Sequence, residues 1–422
     1  MPDWNDYASE LGRRGRAAAL LLASTRDATK SDAIARFADG LRRGRATILE
    51  SNASDLAAAE AGWLERPLIE RLRLNDARID AMAEGVEQIA RQTDPVGQTI
   101  ESTVRPSGMR VERRRVPIGV VLFFYESRPN VTADAAALCL KSGNAVILRG
   151  GKEAIHSNTA IATIAAAAIA DANLPSDAVQ LVNTTDRALV PVLLRQNQQI
   201  DLVIPRGGKS LIEAVVRDSN IPVLKHFDGN CHLYIDEHVA GIEQRVIDVC
   251  VNSKTSYPGG AVCNAVEHLL FHRRAADVLL ARTCAALSAR GVEIRADSAA
   301  RALFPQALPA TEADWSTEYL AFTLGIKVVD SIDEAIAHIN TYGSRHTDGI
   351  LSTDIAACQR FVSRVDSASV MVNASTRLAD GAAYGLGAEI GISTDKLHAR
   401  GPMGASDLTT YKWVVTGDGH LR

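Results

Sequence analysis

Aromatic side chains are scarce in this chain of 422 residues, at 5%, although hydrophobic residues of all kinds reach 46%. Alanine and the aliphatic types dominate instead, a texture that suits stacked helices and buried parallel strands better than a β-sandwich. An excess of charge of one sign is also lacking. Lys and Arg number 46 against 50 Asp and Glu, a net charge of −4, and the signs are mixed along the chain. This gives no electrostatic case for nucleic acid, and small molecules are the expected partners. No stretch approaches the roughly 18 to 20 uninterrupted apolar residues of a membrane span. "GRRGRAAALLLAS" at 12–24 has the arginines and apolar run of a secretory signal, but Asp3, Asp6 and Glu10 precede it. The apolar run is only about eight residues, so an amphipathic helix and a cytoplasmic protein are expected. The cysteines, at 139, 231, 250, 263, 284 and 358, form neither a CxxC pair nor a zinc-ligand rhythm. Reduced thiols are the simplest reading. Internal repeats and low-complexity linkers are missing, and the length exceeds one ordinary core, which predicts two or three domains.

What is present is a regular alternation. Residues 1 to 100 carry apolar positions at helical spacing. From 116 onward, "VPIGVVLFFYE", "NAVILR", "AVQLVN", "IDLVIPR" and "IPVLKHF" read as strands separated by amphipathic helices. That order predicts a parallel, doubly wound α/β sheet. A second αβ series begins at "CHLYID" and contains Cys263, so a second domain holding this thiol is expected. "RPSGMRVERRR" at 105–115 reads as a projecting hairpin and "TTYKWVV" as a terminal strand, edges that invite pairing with a second subunit.

A dinucleotide is the usual ligand of such sheets, yet the GxGxxG fingerprint after the first strand is missing. "LRGGKEA" and "IPRGGKSL" each end a strand and open a helix. There, backbone N–H groups with Arg149, Lys152, Arg206 and Lys209 could face phosphate, or the glycines could simply make tight turns. In "PGGAVCNAVEHLLFH", Cys263 follows a glycine turn and precedes a run that reads as an amphipathic helix. A helix start would lower its pKa from about 8.5 and favour a nucleophile, whereas cysteine as a type is mostly buried, and both readings stay open. The compressed "HFDGNCH" lacks the spacing of a zinc site, so no metal is expected. His346 and Asp348 in "YGSRHTDGI" suit a substrate loop or a polar turn equally.

Taken together, "YESRPNVTADAAALCLKSGNAVILRGGKEAIHSN", "HFDGNCHLYID", "NSKTSYPGGAVCNAVEHLLFH", "YGSRHTDGI" and "VNASTRLADGAAYGLGAEIGISTDKLHARGPMG" resemble the gamma-glutamyl phosphate reductases, or glutamate-5-semialdehyde dehydrogenases, of the aldehyde dehydrogenase superfamily. The resemblance covers about 116 to 413 and, more loosely, the helical N-terminus. It implies two Rossmann-like domains and a small oligomerisation arm. The NADP-binding domain would take 1–104 and 117–230, the catalytic domain 231–395, and the arm 105–116 with 396–422. It further implies NADPH-dependent reduction of L-glutamate 5-phosphate in proline biosynthesis, by a homodimer or higher homo-oligomer.

By the same resemblance Cys263 is the nucleophile, and Asn130 and the Cys263 N–H stabilise the oxyanion. Arg149, Gly207, Gly208 and Glu318 contact the cofactor, while His346, Asp348, Ser375, Thr376 and Arg377 are candidates for holding the substrate. Three departures stand out. The approach to Cys263 is two residues longer than the family's, His268 replaces a common threonine, and His226 stands where hydrolytic aldehyde dehydrogenases carry a water-activating glutamate. That last substitution favours phosphate-exchanging reduction over oxidation to an acid. A hydrolytic dehydrogenase and a regulatory protein that keeps the fold are the rival readings.

Overall fold

A computed structural model describes residues 3–61, 64, 66–225, 228–386 and 388–422. It divides into two compact units, Met1–Lys225 with Gly385–Gly391 and Met403–Arg422, and His226–Tyr384 with Ile392–Pro402.

The first unit opens with helices α1 (Trp4–Leu22), α2 (Asp27–Arg43), α3 (Arg45–Glu60), α4 (Arg66–Leu72) and α5 (Asp76–Arg91). The helical spacing of Ala8, Leu11, Ala18, Ala19 and Leu22 makes the buried stripe of α1. Its start is set by Asp3, whose carboxylate accepts from the N–H groups of Asn5 and Asp6 at 2.9 and 3.3 Å. Two fully buried lysines tie this layer down. Lys30 reaches Asp94 at 2.7 Å, and Lys141 reaches Asp27 at 2.7 Å. After the hairpin β1 (Thr99–Val104) and β2 (Arg110–Pro117) comes the alternation β3 (Val120–Tyr125), α6 (Asn130–Lys141), β4 (Ala145–Gly150), α7 (Ile155–Asp171), β5 (Val179–Leu181), α8 (Leu189–Leu193), β6 (Leu202–Arg206) and α9 (Lys209–Asp218). Strands β3 to β6 form a parallel sheet ordered β5-β4-β3-β6. Every residue of β3, "VVLFFY", is buried, as expected of a central strand covered on both faces. The strand read over "IPVLKHF" is reduced to a single bridge between Val203 and Val223 among the described residues.

The second unit repeats the alternation with β7 (Cys231–Ile235), α10 (Glu243–Thr255), β8 (Val266–His272), α11 (Arg273–Ser288), β9 (Glu293–Ala296), α12 (Ser298–Leu303), β10 (Leu308–Pro309), β11 (Thr323–Val329), α13 (Ile332–Tyr342), β12 (Thr347–Leu351), α14 (Ile355–Arg364) and β13 (Ser369–Val372). The described strands form a parallel sheet ordered β10-β9-β11-β8-β7-β12-β13. Leu233, Leu269, Phe271, Leu279, Leu324 and Ile326 centre its core. The register of β7 on β8 breaks once. Cys231 lies opposite Val266 and His232 opposite His268, which leaves Glu267 as the extra residue of a bulge. A short antiparallel pair, β14 (Ile392–Ser393) and β15 (Gly401–Pro402), also belongs to this unit.

Strand β16 (Thr409–Thr416) pairs antiparallel with β2, so that β1, β2 and β16 make a separate sheet within the first unit. The hairpin therefore starts at Thr99, before the 105–116 assigned from sequence. The segment 396–422 is shared out, with residues to Pro402 in the second unit and Met403 onward in the first.

One expectation is corrected outright. The run after Cys263 is not a helix: Val266–His272 is strand β8, every residue of it buried, and α11 begins only at Arg273. Glu267, His268 and His272 imitate the polar face of an amphipathic helix, but each is in the interior. The argument that a helix start activates the Cys263 thiol falls with it.

Candidate active site

Cys263 sits in a turn between α10 and β8, partly exposed. The approach is a tight turn over Pro258–Gly260 in which Gly259 and Gly260 take φ of 68° and 67°. Such left-handed backbone is cheap only for glycine, so the approach uses the residue type that can make it. The backbone behind the thiol is packed hard. A side-chain carbon on Gly229 would fall 2.0 Å from the Cys263 carbonyl oxygen. The Cys231 thiol donates to that same oxygen at 3.2 Å. Burial pushes the Cys231 thiol well up, aided by the negative charge of Asp348, so Cys231 stays a neutral donor.

Three further groups surround this turn. The Gly229 N–H donates to Glu318 Oε1 at 2.8 Å. Below it, Lys254 Nζ donates to Glu267 Oε2 at 2.6 Å, with both side chains fully buried. Burial raises the Glu267 carboxyl to about 7 against the pull of Lys254, and burial lowers the Lys254 amine. On another side, Asn264 Nδ2 donates to the Ala379 carbonyl at 2.9 Å, and Arg377 donates to Asn264 Oδ1. The hydroxyls of Ser375 and Ser253 lie 3.0 Å apart, and the Thr376 N–H donates to Ser253 at 3.3 Å. Residues 375–377 are thus brought beside the residue that follows Cys263.

His346 and Asp348 are placed differently. Both are fully buried. Asp348 Oδ1 accepts from the His232 N–H at 2.8 Å and faces His232 Nδ1 at 3.1 Å, while Ser367 donates to Oδ2. His346 Nδ1 lies 3.8 Å from the Cys231 sulfur. This pair lines the interior behind Cys231. His268 joins His232, His338 and Trp315 in a buried ring cluster, with His232 and His268 stacked at 4.9 Å. Burial drives the His268 imidazole well below its ordinary value and that of His338 to about 3. His226 lies outside the described residues.

The first unit holds the other expected contacts. Asn130 is the exposed first residue of α6, and its Nδ2 donates to Asp134 Oδ2 at 3.1 Å. Burial raises the Asp134 carboxyl to about 7. Arg149, at the end of β4, donates to the carbonyls of Gly150 at 2.7 Å and Thr185 at 3.1 Å. Its Nε is buried and unpartnered among the described residues. Each glycine turn has a carboxylate of this chain beside it, and at the second that carboxylate is bonded to the turn's own N–H. At the first, Glu153 Oε1 accepts from the N–H and hydroxyl of Ser127 at 2.6 and 3.0 Å, close against Gly151. At the second, the Gly208 N–H that opens α9 donates to Glu126 Oε2 at 2.9 Å. A helix-opening N–H that receives a carboxylate oxygen can receive a phosphate oxygen, so the Gly208 turn fits an anionic group such as a dinucleotide's phosphate.

Glu267, Lys254, Gly229 and Cys231 went unassigned in the sequence. The one signal was a lysine and a glutamate close on either side of the cysteine. Among the described residues no group of three or more His, Cys, Asp or Glu side chains is arranged to hold a metal ion. No described helix is long and apolar enough to cross a membrane. A cavity of about 510 Å³ lined by Arg245, Val249, Leu351, Ile355, Cys358 and Val372 includes none of the expected site residues.

Residues 31–301 match the model of the aldehyde dehydrogenase family. The crystal structure of gamma-glutamyl phosphate reductase from Thermotoga maritima is 43% identical over 98% of this chain and 99% of that one, with a TM-score of 0.94. That of gamma-glutamyl phosphate reductase from Saccharomyces cerevisiae is 32% identical over 98% of each chain, with a TM-score of 0.55. An acetylating aldehyde dehydrogenase from Geobacillus thermoglucosidasius, 16% identical, shares the fold at a TM-score of 0.70 over 99% of this chain.

Proposed function

The chain belongs to the aldehyde dehydrogenase family, among the gamma-glutamyl phosphate reductases, and from that premise we propose that it reduces L-glutamate 5-phosphate to L-glutamate 5-semialdehyde with NADPH. Phosphate is released, and the reaction is the second step of proline synthesis from glutamate. The observation that carries this reading is the Cys263 turn: a partly exposed thiol at the start of a buried strand, its carbonyl held from behind by Cys231.

The chemistry follows from the residues. The Cys263 thiolate attacks the acyl carbonyl carbon, a C–S bond forms, and the C–O bond to phosphate breaks with its electron pair leaving on phosphate. A thioester on Cys263 remains. NADPH, when bound, supplies hydride to reduce it, and return of the sulfur's electron pair frees the aldehyde. Negative charge develops on the acyl oxygen in both stages, and Asn130 Nδ2 and the Cys263 N–H are the donors we assign to it. Arg149, Gly207 and Gly208 would hold the dinucleotide's phosphates and Glu318 its ribose. The orphaned Arg149 Nε and the carboxylate already on Gly208 support this. Arg377, with Ser375 and Thr376, is assigned to the substrate's own carboxylate. His346 and Asp348, both buried behind Cys231, are assigned to shaping the site rather than to touching substrate. A cytoplasmic homo-oligomer joined through the β1-β2-β16 sheet completes the reading.

The test is the reverse reaction, reduction of NADP by glutamate 5-semialdehyde, in wild type and Cys263→Ala. Turnover that requires phosphate and falls on the order of 1,000-fold or more in the folded variant is expected. Turnover without phosphate would reveal a hydrolytic dehydrogenase, and an equally active variant would remove Cys263 from the mechanism.

A further inference from the structure

We propose that the buried Lys254–Glu267 pair is a positioning device that sets the placement of Glu318, and through Gly229 the placement of the Cys263 turn. This inference rests on the functional reading above.

Both partners have 0% side-chain exposure and meet at 2.6 Å. Burying two charges costs several kcal/mol apiece before their attraction offsets it, so such a pair is weak evidence of added stability. Its location is the better clue. Glu267 is the bulged residue of β8, and bulges next to functional sites re-aim a side chain. The bulge lets Glu267 turn its carboxylate into the interior toward Lys254 of α10. The Glu267 carboxyl also takes the backbone N–H of Leu320, two residues after Glu318, and the Glu318 charge in turn holds the Glu267 proton on and strengthens Lys254 as a cation.

From Glu318 the contacts continue to the nucleophile. Glu318 Oε1 takes the Gly229 N–H at 2.8 Å, and Gly229 is packed so closely on the Cys263 carbonyl that no side chain fits between them. One oxygen of the pair is left over. Glu267 Oε1 is buried without a partner among the described residues, the natural place for a proton when the carboxyl is neutral. The carboxyl titrates near neutrality, so the pair changes from net positive to net neutral as pH rises. Glu318 then meets a weaker opposite charge. The ionisable groups that bear on the pair are Glu318 from the segment before β11, Cys231 from β7 and His268 of β8 itself.

Removing one partner strands a buried charge, so the informative variant is Lys254→Met with Glu267→Gln, which keeps volume and neutrality. Thermal midpoint, NADPH KM, kcat and the pH profile of kcat/KM from pH 6 to 8 are measured on the full chain. A folded double variant with its NADPH KM raised about tenfold, and with the wild-type inflection near pH 7 gone, is expected. A double variant with wild-type KM and pH profile would overturn the proposal, whether or not its thermal midpoint changed. Failure of the functional reading shows elsewhere: wild type itself would lack phosphate-dependent turnover, and this inference would fall with it.

Discussion

Gly229 illustrates how a residue without a side chain can matter to a nucleophile. Its missing carbon is the space that the Cys263 carbonyl occupies, at 2.0 Å from where a Cβ would stand. Gly229→Ala must push the turn outward, and misplacing reacting atoms by about 1 Å costs on the order of 100-fold in rate. Steady-state assay of the purified variant should show a kcat loss of that size with a stability cost of about 1–3 kcal/mol. A variant with wild-type kcat would show that the turn is looser than its packing implies. The histidines behind the site make a prediction about pH. His338 titrates near 3 when folded, through burial, and near 6.5 when unfolded. Between those values the unfolded chain holds a proton that the folded chain lacks. Stability is therefore present above pH 6.5 and lost as pH falls toward 3, by about 1.4 kcal/mol per pH unit for one such group. Urea unfolding at pH 7 and 4.5 should show His338→Gln losing less stability across that interval than wild type, by ~2 kcal/mol. An identical loss in both proteins would assign the acid sensitivity to other groups.

At the scale of elements, strand β8 and helix α9 show opposite lessons. "VEHLLFH" has the charge pattern of a surface helix, and only burial of Glu267 against Lys254 and of His268 against neighbouring rings makes it an interior strand. Helix α9, by contrast, was legible from "GGKSLIEAVVRDS", and its N-terminus does carry an anion. That anion is Glu126. A carboxylate on the Gly208 N–H competes with a cofactor phosphate for the same donor. Charge-assisted bonds are roughly twice as strong as neutral ones, so Glu126→Gln weakens the competitor by about 1 kcal/mol. Fluorescence titration should show NADPH binding several-fold more tightly to this variant. Unchanged or weaker binding would mean that Glu126 and the cofactor do not compete for that N–H.

For the whole molecule, the sheet of β1, β2 and β16 is where we propose the subunit contact. Tyr411, Trp413 and Val415 of β16 are exposed at 46, 56 and 57%, an apolar row that a free monomer would leave in water. Trp413→Asp should lower the sedimentation mass toward that of one chain, and an unchanged mass would place the subunit contact elsewhere. Much of the architecture was readable without coordinates. The alternation of apolar strands and amphipathic helices, the existence of two αβ series and the turn that presents Cys263 all follow from patterns within about 20 neighbouring residues, because periodicity and turn chemistry are local. The sequence by itself also determined the family, through the motifs around Asn130, Cys263 and residues 372–404. Only the tertiary structure decided which polar residues face inward and what each one meets. Glu267 finds Lys254 across 13 residues, the Gly208 amide finds Glu126 across 82, and Glu318 finds Gly229 across 89. Such partners are separated in the chain by far more than one helical turn or one strand, so no local pattern encodes them, and packing alone brings them within hydrogen-bonding distance.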